Sequence, residues 1–150
     1  MLIIEPTAPT HPDAVRLLDA SHALMRALFT PEENNFLDHS ELARDDIRFF
    51  TAREGATTLG CGALQVKPDY GEVKSFYVDE NARGKGVGAA LLRQIEDQAR
   101  AEGLAVLKLE TGDALVAAVR LYERDGFTRC GAFGDYVENG TSVFMTKDLT

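Results

Sequence analysis

The sequence predicts an α/β fold, with one mixed and mostly antiparallel central sheet flanked by helices. Three observations carry this. Between Ile47 and Val78, three runs rich in β-branched and aromatic residues are separated only by Glu54-Gly55-Ala56 and Pro68-Asp69-Tyr70-Gly71, which spells an antiparallel meander. Downstream, a strand, a long amphipathic segment and another strand follow one another, which implies parallel pairing in a right-handed crossover unit. That amphipathic segment opens on three glycines at alternate positions with two cations among them, Arg83-Gly84-Lys85-Gly86-Val87-Gly88.

In chain order, Leu2-Ile3-Ile4 is a short strand closed by Pro6. Thr10, Pro12 and Asp13 mark a helix start, after which Leu17, Leu18, Ser21, Leu24, Met25 and Leu28 share one stripe. His22 lies beside that stripe and is assigned no role. Thr30 to Ser40 is polar and irregular, with Phe36 and Leu37 read as loop anchors and a substrate groove as the alternative. Ser40 is expected to cap a short helix through Ala43. His39 could titrate near neutral pH, but nothing pairs it with a nucleophile or a metal ligand. The meander strands are Ile47–Arg53, Thr58–Val66 and Glu72–Val78; Gly60 and Gly62 in the second suggest close approach of another group. The long helix runs to Ala101-Glu102 and stops at Gly103 in the left-handed conformation. Strand Ala105–Glu110, helix Ala114–Arg124 ended by Asp125-Gly126, and strands Phe127–Cys130 and Ser142–Lys147 complete the chain.

At 150 residues the chain reads as one domain, 1–150, without repeats or linkers. No apolar run approaches a membrane span and no signal peptide precedes the first strand. Cys61 and Cys130 are widely separated and read as reduced, buried small hydrophobes of a cytoplasmic protein. A net charge of −8 argues against a nucleic-acid partner. It also means that an anionic cofactor needs a local positive site. The acidity mildly favours a cationic acceptor such as an amine, although solubility is the simpler reading of it.

The segment Glu72 to Leu92 supplies that positive site. Glycines let the backbone turn sharply and let a ligand approach it, and a helix start offers unpaired N–H groups and the positive end of the dipole, so the loop is a phosphate cradle. It is neither a Walker loop nor a dinucleotide fingerprint, since no Lys-Ser or Lys-Thr follows and the glycines run G-x-G-x-G. Arg83-x-x-Gly86-x-Gly88 resembles the [QR]-x-x-G-x-[GA] acetyl-coenzyme A loop of the GNAT superfamily of N-acetyltransferases. Ala118 with Leu121-Tyr122-Glu123-Arg124-Asp125-Gly126-Phe127 resembles that family's A-x-x-L-Y-x-x-x-G-F segment, and the order of elements is similar over nearly the whole chain. Glu110-Thr111-Gly112 and Cys130 to Tyr136 further resemble a branch of small bacterial acetyltransferases. One departure is Leu115, where many relatives carry asparagine; it has no polar group for the cofactor's pantetheine arm.

The resemblance implies the GNAT acyl-CoA N-acyltransferase fold and an enzyme moving the acetyl group of acetyl-CoA, its co-substrate, to a primary amine of a small molecule by direct attack in a ternary complex. It implies that the amides of Gly84, Lys85, Gly86, Val87, Gly88 and Ala89 face the pyrophosphate, with Arg83 and Lys85 adding charge, and that the backbone of Phe76, Tyr77 and Val78 serves the pantetheine and the thioester carbonyl. It makes Tyr122 the acid that protonates the leaving thiolate. Glu72, eleven positions before Arg83, matches a glutamate that acts as general base in some relatives; a strand-end glutamate in solvent is the equal alternative. No metal cluster and no Ser/His/Asp or Cys/His set is expected. Dimerisation is common in the family, with no interface to be located here. A non-catalytic acyl-CoA-binding module, or an acetyltransferase for a protein amine, are the alternative readings.

Overall fold

The computed structural model describes residues 1–150. Seven strands form one sheet in the order β1-β2-β3-β4-β5-β7-β6. β1 (Leu2–Pro6), β2 (Ile47–Glu54), β3 (Thr57–Val66) and β4 (Gly71–Val78) are antiparallel neighbours; β4 and β5 (Val106–Gly112) pair in parallel; β7 (Ser142–Asp148) then runs antiparallel to β5 and to β6 (Thr128–Cys130). β1 ends at Pro6, which still pairs with Phe50; a proline is tolerated there because β1 is an edge strand.

Side chains alternate across the sheet and feed two cores. On β2, Phe50 and Ala52 face one side while Ile47 and Phe49 face the other. The first side packs on α3 (Val87–Ala101) and α4 (Val116–Arg124), with Leu91, Leu92 and Ile95 fully buried. Each of these contributes about 1.5–3 kcal/mol of transfer free energy. The second side packs on α1 (Pro12–Leu28) through Ala14, Leu17 and Leu18, and on the single turn α2 (His39–Leu42) through Leu42. Gly60 and Gly62 are explained by α3: a Cβ on Gly60 would lie 2.9 Å from Val87 and one on Gly62 3.1 Å from Ile95.

Several boundaries differ from the sequence reading. His11, not Thr10, is the N-cap of α1, its ring nitrogen accepting from the Asp13 amide. Asp38 caps α2 in a full capping box with Glu41, leaving Ser40 inside the helix. α4 starts two residues late, at Val116 after the N-cap Leu115. Leu28, the last position of the apolar stripe, is exposed. Gly103 does adopt the left-handed conformation, at φ +78°.

Candidate active site

The site begins with a defect in β4. The β3–β4 ladder pairs Cys61 with Tyr77 and then Ala63 with Lys74, so Gly62 alone faces both Ser75 and Phe76. This is a β-bulge, and Ser75 carries the only positive φ of any non-glycine residue, +53°. Its hydroxyl is buried without a partner, while the buried Cys61 thiol donates to the Ser75 carbonyl at 3.3 Å. Burial pushes that thiol up to about 12, so Cys61 is an inert support. Cys130 is also unpaired, but only half-buried. At the same point β4 leaves β5: their parallel ladder covers Gly71–Val73 against Leu107–Leu109 and stops. Beyond it, the β4 edge through Phe76, Tyr77 and Val78 has no strand opposite on the β5 side. The two strands splay here and leave that stretch of β4 backbone free on one side.

A cavity of ≈ 110 Å³ fills the opening. A water molecule's share of liquid is about 30 Å³, so a few waters or a small reacting group fit. Lys74, Ser75 and Phe76 of β4 form one wall, Glu110, Thr111 and Gly112 of β5 another, and Tyr122 of α4 the floor. The α1–α2 connection covers it with Asn34, Asn35 and Phe36, and Ser142 of β7 closes one side. The Asn34 amide donates to the Met25, Phe29 and Thr30 carbonyls, which holds the cover against the end of α1. Phe133 to Tyr136 do not line this cavity.

Of the predicted site residues, Tyr122 lines the cavity. It is 4% exposed and packs edge-on against Phe76 at 5.7 Å; burial, then the nearby Glu110, raises its phenol above the ordinary range. Glu72 is not a strand-end glutamate in solvent. It is 3% exposed, accepts the Tyr136 hydroxyl proton in a hydrogen bond and lies 3.4 Å from the Lys74 ammonium. It does not line the cavity. Lys74 in turn donates to the Tyr136 oxygen at 2.7 Å and to the Asn35 carbonyl at 3.2 Å, joining β4, the segment before β7 and the cavity cover. The carboxylates that do line the cavity are Glu33, on its cover, and Glu110, on β5. Burial raises Glu110, the Ser142 hydroxyl bonded at 2.7 Å and the Lys74 charge opposing. Lys74 and Glu110 escaped the sequence reading. Their one signal was a charge on alternate positions of two strands whose other positions are apolar.

The loop after β4 carries the remaining predicted residues. Asp79 caps a 3-10 turn over Glu80–Ala82, and Arg83, Gly84, Lys85 and Gly86 follow in the open. Gly84 and Gly86 have φ of +83° and +77°, which only glycine adopts without strain. Gly86 is the N-cap of α3, which has neither a side-chain cap nor an acid in its first turn. The amides of Val87, Gly88 and Ala89 and the helix dipole thus stand uncompensated, a fit to a diphosphate. Lys85 pairs at 3.7 Å with Glu54, both half exposed and easily separated. Gly88 brings this end against α4: a Cβ there would stand 2.6 Å from Leu121 and 3.7 Å from Phe76, so cradle, bulge and Tyr122 are one neighbourhood.

No helix is long and apolar enough to cross a membrane. Residues 15–127 match the Acetyltransferase (GNAT) family. The chain is 41% identical over 144 residues to an IAA acetyltransferase of Azospirillum brasilense, spanning 95% of this chain and 94% of that protein. It is 32% identical to a Klebsiella pneumoniae protein of the acyl-CoA N-acyltransferase type, with a TM-score of 0.85 over 100% of this chain and 99% of the other. A GNAT acetyltransferase from Elizabethkingia anophelis with acetyl-CoA bound shares the fold at 19% identity, with a TM-score of 0.69 over 98% and 97% of the two chains. By its sequence, its seven-stranded sheet and its relatives, the chain belongs to the GNAT family and is an acetyl-CoA-dependent N-acetyltransferase.

Proposed function

We propose that the chain acetylates a primary amine of a small molecule by direct attack in a ternary complex, with Glu110 as general base and Tyr122 as general acid. The observation that carries this reading is the covered cavity at the β4–β5 splay, lined by a half-buried carboxylate and a buried phenol. Its size and its cover of Asn34, Asn35 and Phe36 favour a slender amine over a folded protein surface.

Acetyl-CoA supplies a thioester, whose diphosphate the loop from Gly84 to Ala89 would hold, with Arg83 and Lys85 adding charge. The unpaired β4 edge over Phe76, Tyr77 and Val78 would receive the pantetheine arm and polarise the carbonyl. An alkyl ammonium has a pKa near ~10, so it must lose a proton before attack. Glu110, held above the usual carboxylate range, is a better base for this than a solvated glutamate, directly or through one water. Tyr122 keeps its proton at neutral pH and can give it to the departing sulfur. Glu72 then has a positioning role: it fixes Tyr136 and Lys74, and the Lys74 charge, after the Ser142 hydroxyl, opposes the effect of burial on Glu110.

Thiol release from acetyl-CoA, measured against matched panels of small primary amines and of peptides with free N-termini or lysines, tests the reading. Turnover led by the small amines is expected. Turnover of peptides alone would overturn the substrate class, and acetyl-CoA binding without turnover of any amine would overturn the assignment of Glu110 and Tyr122.

A further inference from the structure

Beside the cavity cover, Asp19, His22 and His39 place one ligand-type atom each within 4.8 Å of one another. Asp19 and His22 are three residues apart on α1 and share a face. His39 opens α2, whose capping box fixes its backbone. His39 is distant in sequence from the other two, so no spacing announced the group.

Two nitrogens in this group have lost water and gained nothing. His22 is 6% exposed and its Nε2 has no hydrogen-bond partner; Nδ1 of His39 is buried and equally alone. An unsatisfied buried polar atom costs about 1–3 kcal/mol, and two in adjacent imidazoles need an explanation. The other nitrogen of His39, Nε2, lies 3.0 Å from Asp19 Oδ1. A carboxylate there keeps the proton on Nε2 and leaves Nδ1 with a free lone pair, the arrangement by which proteins orient a metal-ligating histidine. The rings also stand at a suitable separation. Two imidazoles on one tetrahedral ion, with metal–nitrogen distances of about 2.1 Å, hold their centroids about 5–6 Å apart; those of His22 and His39 are 5.8 Å apart and tilted by 60°.

We propose that His22 and His39 bind one divalent transition-metal ion of the imidazole-preferring class, such as zinc, nickel or cobalt, with Asp19 orienting His39. The remaining coordination positions fall to solvent, so the site is an open one. Because Phe36 stacks on His22 at 4.2 Å, and the segment between the two histidines supplies Asn34, Asn35 and Phe36 to the cavity, the ion would tie the cover to α1. Binding itself does not depend on which amine is acetylated.

The test is titration of the untagged, chelator-stripped chain with ZnCl2 by calorimetry and with CoCl2 by visible absorption. One ion per chain is expected, with a cobalt spectrum of nitrogen and oxygen ligation lacking a thiolate charge-transfer band. His39→Gln, on a partly exposed side chain, should abolish that binding, and Asp19→Asn should weaken it about tenfold, as loss of an orienting carboxylate does. His22→Gln should do as His39→Gln does, with circular dichroism confirming that it folds. Cys130→Ser should leave affinity unchanged. The absence of stoichiometric binding, an unchanged affinity in His39→Gln, or a thiolate band that disappears in Cys130→Ser would each overturn the site.

Discussion

Glu72 and Glu96 make an instructive pair. Each is a carboxylate no more than 5% exposed that meets a lysine: Glu72 meets Lys74 at 3.4 Å, Glu96 meets Lys147 at 2.8 Å. At the Glu72 corner the carboxylate binds a phenol, the lysine reaches on to the cavity cover, and the bulge at Ser75 and the end of the β4–β5 ladder leave open space beside them. At the Glu96 corner, Lys147 also binds the Asp125 carbonyl and carboxylate, tying α3, α4 and β7 together, and the cavity does not reach it. Burial, the Asp125 carboxyl and the opposing lysine leave Glu96 raised to about 7. By titration alone, Glu96 would rank as a catalytic candidate. A buried ion pair is thus poor evidence of a site. What separates the two corners is backbone: one lies where a strand is broken and parted from its neighbour, the other where three elements close.

If that distinction is right, changes at the first corner move rates and changes at the second move stability. The largest effect is expected at Tyr122. Tyr122→Phe keeps the ring against Phe76 and Phe127 and removes only the proton; kcat should fall by about 10³-fold, more than the cofactor's Michaelis constant rises, with thermal unfolding little changed. An effect on the Michaelis constant alone would take Tyr122 out of the acid role. Glu110→Gln comes next, with a loss of about 10²-fold in kcat/KM at neutral pH. Glu110 must be unprotonated to accept a proton, and its folded-state pKa is raised. Wild-type activity should therefore fall as pH drops through a value above the ordinary ~4.3, and that acid limb should vanish in Glu110→Gln. A limb that persists there and disappears in Glu72→Gln would return the base to Glu72.

Gly86→Asp is expected to raise the dissociation constant for coenzyme A about tenfold or more, by setting a carboxylate at the N-terminus of α3 at φ +77°. Equilibrium binding measures it, and an unchanged constant would move the diphosphate elsewhere. The glycine loop at the start of α3 was legible in the sequence because glycine spacing, cations and a helix start are local, and the place of Tyr122 on a helix because its segment is contiguous. The meander and the parallel crossover were legible from turns and periodicity. The bulge was not, because it falls on a serine, which gives no hint of left-handed backbone. Nor was the setting of Glu72, fixed by Tyr136 from 64 positions away, nor that of Glu110, which reads as the polar face of a strand until β4 parts from β5 beside it. Asp38 outcompeted Ser40 as a cap because Glu41 can bond back to it, a reciprocity that only geometry reveals.

The smallest expected effect on rate, none, is at Glu96. Glu96→Gln keeps the shape and an acceptor for Lys147 while removing a charge crowded against Asp125. In the wild type the folded state holds the Glu96 proton up to about 7, whereas the unfolded chain releases it near 4.5, so the folded state binds more protons between these values. Stability therefore falls as pH rises through that window, and the cost is fully present above it. The raised pKa of Lys147 does not alter this, because its charge is constant over the same range. The glutamine variant should gain about 1 kcal/mol at pH 8, a rise of about 2–4 °C in Tm, and nothing near pH 4, with kcat/KM unchanged at both. A gain at pH 8 that came with lost turnover would mean that the Glu96 corner communicates with the cavity, and the distinction drawn between the two glutamates would fail.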